Sequence, residues 1–118
     1  MNVNKQLLEE AASAAGHTLV WSYDESLCFL TDTWEGCFNH DEPWNPIRMD
    51  ADAFRLQVKL KMLVIWLPLH VRVRCGNIHA LEFIGSYANS EDPYRDAARR
   101  AITRCAARYA PTKELHNA

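Results

Sequence analysis

The sequence predicts an α+β fold, an antiparallel sheet of three to five strands packed against two main helices, with a short N-terminal helix added to the core. Three observations carry this. Segments 50–59 and 93–109 repeat apolar residues at helical spacing. Runs at 62–67, 70–75 and 78–85 have strand composition or alternation and are separated only by short turns, so they read as consecutive antiparallel strands. The length of 118 residues suits one domain, 1–118, around a single core.

Residues 3–15 form the short helix, with Leu7, Leu8, Ala11, Ala12 and Ala15 on one side, Glu9 and Glu10 on the other, and Gly16 placed to end it. In 18–23, Leu19, Trp21 and Tyr23 alternate with Thr18, Val20 and Ser22, the period of a strand. Residues 26–31 are its hairpin partner across Asp24-Glu25, although that turn lacks the usual glycine or asparagine. The polar stretch 32–43 reads as an ordered loop packed by Trp34 and Phe38.

The stretch 44–68 is the densest source of core residues. Asn45-Pro46 is turn chemistry, because the proline ring biases the residue before it away from helix. Asp50 or Asp52 is placed to cap a helix running to about Lys59. Asp52, Arg55 and Lys59 fall on its wet side, and Ala53, Leu56 and Leu60, with Phe54 and Val58 beside them, form a wide buried face. Residues 62–67 then turn strand-like, and Pro68 ends that run or marks an edge, leaving open whether 62–67 and 70–75 are one bent strand.

In 70–75, Val71 and Val73 point inward and Arg72 and Arg74 outward. Gly76-Asn77 makes a turn, and 78–85 returns with Ile78, Ala80, Glu82 and Ile84 opposite His79, Leu81 and Phe83. Asp92 and Pro93 mark the start of the last helix, as N-cap and first helical residue. It runs to about Tyr109, where Pro111 stops it and 113–118 fray. Its core face is Ala98, Ala101, Ile102, Cys105 and Tyr109, small enough to lie close on a sheet, and Arg100, Arg104 and Arg108 stack along it with Arg95 and Arg99 alongside.

Composition excludes some classes of function. With 48% hydrophobic and 24% charged residues the chain is globular rather than disordered. A net charge of -2 suits neither a strongly basic coat for duplex DNA nor a strongly acidic DNA mimic. No secretory signal and no run of membrane-spanning length is visible, so the expected location is the cytoplasm, with no membrane partner. Cys28, Cys37, Cys75 and Cys105 are then expected as reduced thiols. A sharper alternative brings Cys37 and His40 together with Cys75 and His79 as a tetrahedral zinc site, although no CxxC pair supports it; no cofactor is expected.

The pattern Trp44-Asn45-Pro46, acidic residues at Asp50 and Asp52, Ala53-Phe54-Arg55-Leu56 and Val58-Lys59-Leu60, then Asp92-Pro93-Tyr94 and Ala98-Arg99-Arg100-Ala101-Ile102, resembles small proteins of tailed bacteriophages and prophages. It is similar to the group called phage ABA-sandwich domain proteins, in which an antiparallel sheet packs against helices. The resemblance covers 44–109, residues 1–43 add little to it, and it brings no catalytic motif. Members often have a glycine in the acidic turn where this chain reads Arg48-Met49-Asp50-Ala51. The resemblance implies a phage-encoded protein at work in the host cell.

Nothing in the chain names a reaction, and three readings follow. The first is a non-enzymatic accessory or regulatory module that binds a host or phage protein, including a component of host defence, through Trp34, Phe38 and Trp44, unless those rings only pin the loop. The second is nucleic-acid contact through Arg95, Arg99, Arg100, Arg104 and Arg108, with Arg72 and Arg74, unless the stripe is simply the solvated side of the helix. The third is a small metal-dependent hydrolase using Cys37, His40, Cys75 and His79, the least favoured. An open edge at 62–67 or 78–85 would also let two copies pair as a twofold dimer.

Overall fold

A computed structural model describes residues 4–31 and 43–117, the segment 110–117 as backbone alone. In chain order the elements are α1 (Lys5–Ala14), β1 (Leu19–Trp21), β2 (Cys28–Leu30), α2 (Asp50–Lys59), β3 (Leu63–Trp66), β4 (His70–Cys75), β5 (Ile78–Phe83), a 3-10 turn (Ile84–Tyr87) and α3 (Pro93–Asn117). The α+β class holds, with the strands in two antiparallel sheets, β1-β2 and β3-β4-β5. Pro68 separates β3 from β4 through a two-residue turn closed by Leu67 N–H to His70 O at 3.0 Å, so these are two strands rather than one bent strand.

Helix α3 organises the core. It packs against α1, α2, β4, β5 and the 3-10 turn. Ala97, Ala98, Ala101, Ile102, Thr103, Cys105, Ala106 and Ala107 are all buried, far more than the one stripe that a helix laid on a sheet would bury. Small side chains let neighbours approach from two directions. On one side sit Leu8, Ala11 and Ala12 of α1; on the other sit Val71 and Val73 of β4 and Ala80 of β5. The 44–68 stretch contributes less than its composition suggests. Trp44, Pro46, Ala53, Leu56 and Met62 are buried, but Phe54, Val58, Leu63 and Trp66 are exposed, because no described element covers α2 and β3 on that side.

Local chemistry explains most boundaries. Gly16, at φ 85°, ends α1 with paired bonds from Gly16 N–H to Ser13 O and His17 N–H to Ala12 O, a Schellman closure. The same closure ends α2, with Lys61 N–H to Val58 O and Met62 N–H to Gln57 O, but there the left-handed position is held by Lys61 at φ 53°. Asp92 caps α3 through the Arg95 N–H at 3.1 Å, as its position before Pro93 predicts.

Three expectations need correction. Neither Asp50 nor Asp52 caps α2, whose N-cap is Met49 without a side-chain bond. Asp52 is turned inward, where Oδ2 accepts the Asn45 N–H at 2.9 Å and Oδ1 accepts Arg55 at 3.1 Å, so it pins the 45–49 turn instead of facing water. Strand β1 stops at Trp21, and Tyr23 is fully exposed in the following turn. There Asp24 accepts from Ser22 and Ser26, which holds its carboxyl down at about 2, and Glu25 takes a left-handed φ of 60° while pairing with Lys5 at 2.5 Å. Finally, α3 passes through Pro111 to Asn117; a proline inside a helix removes one N–H bond, and here the backbone carries on past it.

A left-handed conformation is strained for a side chain with a Cβ. Lys61→Gly therefore raises stability by about 0.5–1 kcal/mol, read as a higher urea midpoint with an unchanged slope.

Candidate functional site

The alternation of β3, β4 and β5 sorts every side chain to one of two faces. Val64, Val73 and Ala80 form one cross-strand row of the inner face, and Trp66, Val71 and Glu82 form the next. The outer face carries Leu63, Arg74 and His79 in one row, Ile65, Arg72 and Leu81 in a second, and His70 with Phe83 in a third. Among the described elements none packs on this outer face. Phe83 is 59% and Leu63 48% exposed, and Arg72, Arg74 and His79 are exposed as well. The His70 and Phe83 rings meet edge to face with centroids 5.9 Å apart.

The outer face is thus apolar and cationic at once, with no carboxylate in any of its rows. Among the described residues, Arg72 and Arg74 have no acidic partner. Arg108 approaches from α3 at the β5 side, where it borders a cleft with Arg72, His79 and Leu81. An exposed face that combines Leu, Ile and Phe with unpaired guanidinium groups can hold a surface that is itself part apolar and part anionic.

Three arginines of the α3 stripe, Arg99, Arg104 and Arg108, are bonded to other parts of the fold. The Arg104 guanidinium donates to the buried Glu82 carboxylate and, at 3.4 Å, to Leu81 O. Arg108 donates to His79 O at 2.5 Å. Arg99, with a side chain only 14% exposed, holds Arg48 O at 2.6 Å, Asp50 at 3.1 Å and Asp96. Arg95 reaches Asp96 at 3.5 Å, and Arg100 lines a cleft with Ile47 and Tyr87. Hydrogen bonds from Ser90 first, then from Arg99, keep the Asp96 carboxyl below its ordinary range. Tyr87 donates to the other Glu82 oxygen at 2.5 Å; burial, reinforced by that bond, pushes its hydroxyl well above the usual phenol range.

A second surface lies at the β3 edge. Ala53 and Phe54 of α2, Val64 and Trp66 of β3, and Tyr94 and Ile102 of α3 line a cleft of about 490 Å³. Trp66 and Tyr94 stack at a tilt with centroids 6.3 Å apart, and the Tyr94 hydroxyl donates to Pro68 O at 2.9 Å. The charged groups on its rim are engaged, Asp50 with Arg99 and Asp92 with the first turn of α3.

Of the aromatic contact candidates, Trp44 is buried at 1% exposure, where Cys28 Sγ donates to its carbonyl, so it anchors the chain rather than meeting a partner. Trp34, Phe38, Cys37 and His40 lie outside the described residues. Cys75 and His79 stand on opposite faces of the sheet: Cys75 is buried against Leu60 O at 3.2 Å, while His79 shares the outer row with Arg74. Among the described residues no group of three or more His, Cys, Asp or Glu is placed to hold a metal. The thiols Cys28, Cys75 and Cys105 are free and buried. Burial pushes Cys28 up to about 12 and Cys105 to about 11, and raises Cys75 as well. Nothing in the sequence marks Trp66, Phe83 or Leu63 as contact residues, although the period of two puts Phe83 on one face of its strand with His79 and Leu81.

No helix among the described residues is long and apolar enough to cross a membrane. No protein-family model, curated protein or solved structure matches the chain.

Removing Arg104 leaves Glu82 buried without its cation. Arg104→Ala lowers stability by about 2 kcal/mol, less than a fully buried pair because Arg104 is one-third exposed, and a double variant with Glu82→Leu recovers part of the loss in a urea double-mutant cycle. The buried thiols set an alkaline limit. A thiol is neutral when protonated and the folded values lie above the unfolded value of about 8.5, so the unfolded chain releases protons first as pH rises. Stability is intact below that value and falls above about pH 9 by up to ~1.4 kcal/mol per thiol per pH unit. Urea midpoints at increasing pH should show this fall, and Cys28→Ala should reduce its steepness.

Proposed function

We propose that the chain is a non-enzymatic, phage-encoded accessory protein that works in the host cell by protein contact, seating an acidic, partly apolar surface of a host or phage protein on the outer face of β3-β4-β5. Inhibition of a host-defence component is one role such contact would serve. The observation that supports this best is the outer face, which no described element covers and where, among the described residues, Arg72 and Arg74 stand without acidic partners on the same face as Leu63, Ile65, Leu81 and Phe83. Apolar contact supplies affinity, and the guanidinium groups select for anionic complements. The resemblance of 44–109 to phage ABA-sandwich domain proteins supports the phage assignment.

Nucleic-acid contact is the second reading, and one observation favours it: Arg72 lies one row along the outer face from the exposed Phe83 ring, the pairing of cation and aromatic that holds single strands. That reading now rests on the sheet rather than on α3, where Arg99, Arg104 and Arg108 are engaged. A metal-dependent hydrolase has less support, since Cys75 and His79 face opposite ways.

The test is a comparison of the wild-type chain with Arg72→Glu/Arg74→Glu, immobilised and exposed to host lysate. The variant keeps the circular dichroism spectrum, because both side chains point to solvent, and loses its bound acidic protein by about tenfold or more, a change of about 1.4 kcal/mol. Binding to the wild type weakens with salt and survives nuclease. Capture unaffected by the charge reversal, or retention abolished by nuclease, refutes the protein-contact reading.

A further inference from the structure

The two edges of the three-stranded sheet are treated differently by the fold. The two-residue turn at Gly76-Asn77 makes Cys75 and Ile78 a hydrogen-bonded pair, so by alternation the backbone groups of His79 and Leu81 point away from β4. Those outward carbonyls are the acceptors of Arg108 and Arg104. The β5 edge is therefore occupied by guanidinium groups from α3. On the other side, the Leu67 N–H to His70 O bond sets the phase, and the backbone N–H and C=O groups of Val64 and Trp66 point outward from β3. Among the described residues nothing pairs with them, and the strand Leu-Val-Ile-Trp carries no lysine, proline or bulge that would protect it.

We propose that β3 pairs antiparallel with β3 of a second copy of this chain, across a twofold axis at Ile65, to give a continuous six-stranded sheet. The register follows from the phase. Val64 pairs with the partner copy's Trp66 and Trp66 with its Val64, each pair exchanging two N–H to O=C bonds, while the two Ile65 residues face each other as a non-hydrogen-bonded pair. In this register apolar meets apolar on both faces: Val64 opposite Trp66 on the inner side, Ile65 opposite Ile65 and Leu63 opposite Leu67 on the outer side. Charge agrees with the antiparallel sense. The paired segment is neutral, and Lys61 of each copy lies at the opposite end of the ribbon from its counterpart, well beyond a Debye length of about 8 Å.

Phe54 and Trp66 share the cleft under β3 and are 63% and 58% exposed. A buried aromatic covers about 150–250 Å², so covering these two rings would remove on the order of 200 Å² per copy. With Leu63 and the strand edge added, this still falls short of the roughly 800 Å² per partner of a standard permanent interface. The dimer is accordingly concentration-dependent. It also goes beyond the proposed function and does not rest on it: pairing through β3 joins the two outer faces side by side and leaves Arg72 and Arg74 uncovered.

The experiment uses the full chain in a Cys37→Ser background, the other three cysteines being buried. Sedimentation velocity up to millimolar concentration should show a monomer–dimer equilibrium. Ile65→Cys should form an intermolecular disulfide under mild oxidation, because a non-hydrogen-bonded antiparallel pair sets its Cα atoms at about 4.5 Å, within the disulfide range. Leu63→Cys alone should link at least tenfold more slowly, and a mixture of Leu63→Cys with Leu67→Cys should link readily. Val64→Pro should abolish the dimer and keep the fold, since the N–H it removes is not used by β4. A monomer at every concentration, a dimer that survives Val64→Pro in a folded chain, or linking of Leu63→Cys as fast as Ile65→Cys overturns the proposal.

Discussion

The close approach of α3 to two layers at once is the constraint on which the rest of the structure depends. A helix that carried leucine or phenylalanine at Ala97, Ala101 and Ala106 would hold its neighbours at arm's length; alanine and cysteine let α1 press from one side and β4 and β5 from the other. The result is a layered stack of α1, α3 and sheet, in which α3 is the filling. Because α3 and α1 lie on the same side of the sheet, the other side is left bare of any described element. The exposed face with Arg72 and Arg74 is therefore a consequence of where the small residues are, and not only of the residues on the face itself.

The same helix controls the electrostatics of its surroundings. Arg99, Arg104 and Arg108 are not free cations. They reach back to the carbonyls and the Glu82 carboxylate of β5 and to the turn before α2, so that one row of cations fastens two separate pieces of chain to α3. Glu82 on the core face looks anomalous in a strand alternation until Arg104 and Tyr87 are seen to satisfy both of its oxygens. Positive charge remains available for contact on β4, one strand in from the β5 edge.

Much of this was legible in the residues. The alternation of Val71 and Val73 with Arg72 and Arg74, the Gly76-Asn77 turn and the Asp92-Pro93 start of α3 follow from local chemistry that tertiary context leaves unchanged, and the bounds of α2 agree with its periodicity although neither Asp50 nor Asp52 makes the expected cap. What was not legible depends on partners far away in the chain. Phe54, Val58, Leu63 and Trp66 have the composition of core residues and are exposed, because composition does not say which element will lie on top. Asp52 sits at the spacing of a wet face and turns inward, because its partner is the Asn45 amide in the preceding turn. Trp44 looks like a contact residue and is buried. The division of the strands into two sheets was likewise hidden, since a short apolar run records a preference for pairing and not the identity of its mate.

One consequence of the layered stack concerns the order in which it is made. The β3-β4-β5 meander closes through two-residue turns, so its contacts are local and can form as soon as that stretch is synthesised. Helix α1 leaves the ribosome before the strands and α2, and it docks on α3, which follows them in the chain. Its apolar side, Leu8 with Ala11 and Ala12, must then wait until the five strands and α2 between them have been made. Mostly alanine on that side keeps the waiting surface only weakly adhesive, which suits an element that is born early and housed late.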